Sequence, residues 1–107
     1  MASRAETAEL VVESIPGAHL RRMFGEYALY LRGRVIGLIC DDRLYLKNLP
    51  EAAAILAGAA SGPPFPGAKP YLIADPWLDD PEVLAKAAQV LADLLPEPKP
   101  KRRRKAP

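Results

Sequence analysis

Apolar residues recur along the first segment at helical spacing. Ala8, Val11, Val12 and Ile15 fall at i, i+3, i+4 and i+7, with Glu9 and Glu13 on the opposite side. Ser3 followed by Glu6 has the spacing of a capping box, in which each side chain satisfies a free backbone amide, and Pro16-Gly17 ends the run. The pattern predicts an amphipathic helix over 3–15. From residue 20 the helical period gives way to β-prone runs at 27–31 and 35–40, joined by Arg32-Gly33-Arg34, where the glycine can take the positive φ of a tight hairpin. Asp41-Asp42 forms a second turn, and Arg43, Leu44, Tyr45, Leu46 and Lys47 then alternate strictly. The alternation predicts a strand with its leucines buried and its Arg, Tyr and Lys side chains wet.

Residues 48–51 offer a helix start in which Pro50 is tolerated, and the alanine-rich run 52–57 continues it to Gly58. Four prolines and two glycines between 61 and 70 predict a loop, followed by a strand at 71–74 that Asp75-Pro76 closes. Asp80 and Pro81 read as an N-cap and first-turn pair for a last helix. Its polar stripe Glu82, Lys86, Gln89 and Asp93 leaves Leu84, Ala87, Ala88, Leu91 and Leu95 for the core. The predicted order is α-β-β-β-α-β-α. Its short connections favour an antiparallel sheet, giving a two-layer α+β domain with helices on one face and the other face left bare for solvent or a partner.

The size of the chain, 107 residues, bounds this to one domain, and 50% hydrophobic with 26% charged residues is a globular composition. Charge is divided. The last twelve residues carry six cations (Lys99, Lys101, Arg102, Arg103, Arg104, Lys105) against Glu97 alone, so the remainder, with nine cations and twelve acids, is net acidic. With Pro96, Pro98, Pro100 and Pro107 and no large apolar residue after Leu95, the sequence divides into a domain at 1–95 and a basic, proline-rich tail at 96–107 expected to be disordered. Such a tail can neutralise phosphates without reading bases, which makes weak, sequence-blind nucleic-acid association the alternative function. The charged N-terminus lacks a signal peptide, apolar runs are too short to span a membrane, and the single Cys40 cannot close an intrachain disulfide. These features lead to the expectation of a cytoplasmic protein with no membrane partner.

Candidate chemistry is sparse. His19 has no second His or Cys to share a metal, Cys40 in an apolar strand reads as a small buried hydrophobe, and turns or caps account for Asp41-Asp42 and Asp79-Asp80. No catalytic, cofactor-binding or metal residues and no small-molecule substrate are expected; an enzymatic reading would need Asp41, Asp42 and Lys69 to meet at one cleft. Trp77 reads as a core anchor. Arg43, Tyr45 and Lys47 on one strand face, with Tyr30 on a neighbouring strand, form a candidate interaction face. A cation–aromatic–cation stripe can stack on bases and hold phosphates, but the acidic balance favours an ordinary solvated face.

The stretch 23–47, MFGEYALYLRGRVIGLICDDRLYLK, resembles the N-terminal domain of the TfoX/Sxy family of bacterial regulators associated with natural competence. The resemblance rests on Met23, Phe24 and Gly25, the spacing of Tyr27 and Tyr30, the Gly33 hairpin, and Asp41, Asp42, Leu44 and Leu46 within the run 41–47. It extends more loosely over 7–95, and Glu26 stands where the family pattern usually has a second glycine. It implies a two-layer antiparallel α/β domain with a non-enzymatic regulatory or interaction role. Together with the wet strand 43–47, this leads to the expectation of a regulatory module that uses the uncovered sheet face or an edge strand to bind a protein partner, such as transcription machinery, or a second copy of itself.

Overall fold

In the structure, a computed structural model that describes residues 4–23 and 26–96, helix α1 (Ala5–Ser14) precedes four strands: β1 (Ala18–Met23), β2 (Glu26–Leu31), β3 (Arg34–Cys40) and β4 (Arg43–Leu46). Helix α2 (Pro50–Ile55), strands β5 (Ser61–Gly62) and β6 (Tyr71–Ile73), a 3-10 segment (Asp75–Asp79) and helix α3 (Pro81–Leu94) complete it. All strand pairs are antiparallel and form one sheet in the order β1-β2-β3-β4-β6-β5. The α+β class and the single helical layer agree with the sequence reading. The strand count does not: β1 and β5 were not expected. Ser3, Phe24, Gly25 and residues 97–107 of the basic tail lie outside the described residues.

Both tight hairpins carry their turns in the left-handed region. Arg32 and Gly33 have φ of 52° and 79°, and Asp41 and Asp42 have 52° and 65°. Positive φ at both central residues matches the right-handed twist of the flanking strands. Aspartate tolerates this conformation better than most residues, which is why a turn forms at 41–42 without glycine.

The main core lies between the helices and one sheet face. Val11 of α1 and Ile15 just after it, Leu84, Ala87, Ala88, Leu91 and Ala92 of α3, and Ala52 of α2 pack on Leu29, Leu31, Ile36, Ile39, Leu44 and Leu46. Most of these side chains are fully buried. Trp77, half-buried, packs against the same core, as its position ahead of α3 suggested. Ile36 and Ile39, three apart on one strand, share this face because the β2–β3 register shifts at Leu29/Tyr30, as a bulge requires. Gly37 sits at that irregularity with its backbone pressed against the Tyr45 carbonyl of β4; an added Cβ would overlap that oxygen.

One expected side-chain cap is not used, and the Ser3 cap lies outside the described residues. Asp80 precedes α3 but makes no side-chain cap bond; its carbonyl accepts from the amides of Val83 and Leu84 instead. The start of α1 is held from outside the helix by Asp42, 35 residues beyond Thr7 in sequence.

Candidate interaction surface

The opposite sheet face is not bare, which corrects the sequence expectation. Ala28, Leu38, Cys40 and Tyr45 form a second buried cluster there, with Tyr30, Tyr71 and Ile73 packed around it. Strand alternation places Tyr45 on this face as predicted, but its ring is only 7% exposed. The predicted wet stripe therefore divides: Arg43 is exposed, Tyr45 is part of the cluster, and Lys47 is half-buried. Burial raises the pKa of the Tyr45 and Tyr71 hydroxyls above the ordinary tyrosine value. The Cys40 thiol is also pushed up, by burial first and then by the nearby Glu26 and Asp41 carboxylates.

Tyr30 stacks on His19 of β1, its direct cross-strand partner, with ring centres 5.4 Å apart and planes within 11°. Sequence reasoning missed His19 in this role because β1 carries no alternating hydrophobic signal. Arg43 reaches Asp75 at 3.7 Å, and the other Asp75 oxygen accepts from the Leu44 amide at 2.6 Å. Lys47 lines two adjoining hollows. One of about 310 Å³ includes Tyr30, Arg34, Val35, Leu95 and Pro96. The other, of about 350 Å³, includes Asn48, Leu49, Lys69, Pro70 and Tyr71.

The aspartates of the 41–42 turn have structural work. The Asp41 amide donates to both Glu26 carboxylate oxygens at 3.2 Å. Asp42 accepts from the Arg4 amide and the Thr7 hydroxyl, both at 2.8 Å, and from the Arg4 guanidinium at 3.2 Å. The backbone bond, followed by the Thr7 bond, holds its pKa below the usual aspartate value. Lys69 lies instead in the hollow beside Lys47, and no described hollow gathers Asp41, Asp42 and Lys69. Among the described residues, no group of three or more His, Cys, Asp or Glu side chains is arranged to hold a metal, and no helix is long and apolar enough to cross a membrane.

The sheet also ends on an open edge. Strand β1 pairs with β2 alone, and four of its six residues are exposed. Only residues 24 and 25 separate the paired Met23 and Glu26. In a hairpin of that length the closing pair is hydrogen-bonded, as are alternate pairs behind it, here Arg21–Ala28 and His19–Tyr30. The amides and carbonyls of Leu20 and Arg22 consequently point outward, away from β2.

No solved structure matches this chain. An uncharacterized 12.7 kDa protein in the trpE 5′ region of Spirochaeta aurantia is 39% identical over 106 residues, a match covering 95% of this chain and 91% of that protein. The sequence profile of the TfoX N-terminal domain matches residues 11–92, a span running from α1 through all six strands into α3. The chain belongs to the TfoX N-terminal domain family.

Proposed function

We propose that the protein is a non-enzymatic, cytoplasmic regulatory module that works by accepting an extended segment of another protein along β1. The observation that carries this reading is the open edge: six residues of strand with the backbone groups of Leu20 and Arg22 unengaged by the sheet. Membership in a family of non-catalytic domains supports the non-enzymatic part. A component of the transcription machinery is the partner type most consistent with a TfoX-like domain.

Charge selects the partner's character. Between Pro16 and Met23 there is no acid, while His19, Arg21 and Arg22 are all exposed. Pairing of two β1 strands around Leu20 would place Arg21 opposite His19 of the second copy and bring four arginines together. An acidic strand suffers no such repulsion and gains from opposite-charge cross-strand pairs. The test is calorimetric titration of the full chain with an alternating Thr-Glu peptide. Binding that Arg22→Pro abolishes, with the thermal midpoint retained, is the expected result. Equal binding by Arg22→Pro contradicts the reading, as does a stable dimer of the protein alone.

A further inference from the structure

We propose that the two hollows on either side of Lys47 form a binding site for single-stranded nucleic acid, in which Tyr30 and Tyr71 each stack a base and Lys47 holds the phosphate between them. This site lies on the sheet face and is independent of strand pairing at the β1 edge.

The first observation is geometric. Lys47 belongs to the lining of both hollows, so they adjoin, and each contains one half-buried tyrosine packed against the second cluster. The sequence aromatic, cation, aromatic across the face repeats the order base, phosphate, base along a single strand. Aromatic platforms separated by cations are how sequence-tolerant single-strand binders work, each base stack contributing about 1–3 kcal/mol. His19, parallel to Tyr30, extends the aromatic row toward β1.

The second observation is electrostatic. Residues 1–95 are net acidic, yet among the described residues no carboxylate lines either hollow, while Arg34, Lys47 and Lys69 all do. The ammonium groups of Lys47 and Lys69 have no ion-pair or hydrogen-bond partner among the described residues. The acids gather elsewhere: Glu6, Glu9 and Glu13 lie on α1, and the groove between α1 and the sheet is lined by Glu9 and Glu13. The two hollows are therefore a local positive site in a negative domain, which favours a polyanion at short range. Pro96 lies on the rim of the first hollow.

The acidic groups of a peptide would satisfy the cations but bring no base to stack on the tyrosine in each hollow. This favours nucleic acid and makes the peptide an outcome of the test.

The experiment uses fluorescence anisotropy with a labelled twenty-nucleotide oligothymidylate at low salt. The proteins are the full chain and a full-length variant with all six tail cations replaced by glutamine, each with and without Lys47→Glu. The tail-neutralised chain is expected to bind, and Lys47→Glu in that background to weaken binding at least tenfold. Lys47→Gln should fall between them, and Tyr71→Leu should weaken thymidylate binding while leaving binding to an abasic oligomer of equal length unchanged. Loss of one phosphate contact reduces the salt slope by about 0.7 on a single strand. Loss of all binding on tail neutralisation overturns the proposal, as does binding by the folded Lys47→Glu and Lys47→Gln variants within twofold of the parent. Equal affinity for the abasic oligomer also overturns it, as does tighter binding of an oligoglutamate peptide that Lys47→Glu weakens and Arg22→Pro does not. Arg22→Pro should leave this binding unchanged, so its failure and that of strand pairing are read separately.

Discussion

The carboxylate of Asp42, in the turn between β3 and β4, accepts a hydrogen bond of 2.8 Å from the hydroxyl of Thr7 in the first turn of α1. The same oxygen accepts from the Arg4 amide, so a side chain from the β3–β4 turn pins the start of a helix whose own N-cap residue makes no side-chain cap bond. A carboxylate also suits the positive end of the helix dipole.

Asp42→Asn should lower the thermal midpoint by a few degrees at pH 7. The sign of the pH dependence follows from the depressed pKa. The stabilisation is fully present above the ordinary aspartate value near 3.9 and disappears as pH falls through the lower folded value. The gap between thermal melts of the two proteins should be smaller at pH 3 than at pH 7; a constant gap would contradict this role.

Gly37→Ala should destabilise the protein by about 3 kcal/mol, at the upper end of the cost of overpacking, because the obstructing atom is the Tyr45 backbone oxygen of a neighbouring strand. Urea unfolding measures it. Gly58→Ala meets no such obstacle but sits at φ of 86°, so it should cost less, on the order of 1 kcal/mol.

Leu91→Ala removes a fully buried side chain of α3 from the main core and should cost about 3 kcal/mol. Leu94→Ala, three residues further on at a residue 48% exposed, should change stability by less than about 1 kcal/mol. Equal effects would mean that α3 is rotated relative to the sheet.

Cys40 should react slowly with a disulfide reagent at pH 8 in the folded protein, at least tenfold slower than in concentrated urea. Burial both shields the thiol and disfavours its thiolate. Equal rates would place Cys40 outside the second cluster.

The elements that repeat a strong local signal were legible in the sequence. Helix α3 has its Pro81 start and an uninterrupted polar stripe, and the hairpins at 32–33 and 41–42 join β-prone runs. Strand β1 was not legible, since Ala18, His19, Leu20, Arg21, Arg22 and Met23 are mostly exposed and an edge strand need not alternate apolar with polar residues. Strand β5 is two residues held only by pairing with β6, a tertiary event with no local mark. Tyr45 was placed on the correct face, but its burial depends on Tyr30, Tyr71 and Ile73 from other strands. The two hollows were invisible for the same reason: Tyr30, Lys47 and Tyr71 converge only when β2, β4 and β6 lie in one sheet.

Amide hydrogen exchange at Leu20 and Arg22, with and without an alternating Thr-Glu peptide, tests the open edge most directly. Both amides should exchange rapidly in the free protein and become protected on peptide addition, while Arg21, already bonded to β2, changes little. Protection of Leu20 and Arg22 before any peptide is added, or no change on its addition, would contradict β1 as the docking strand.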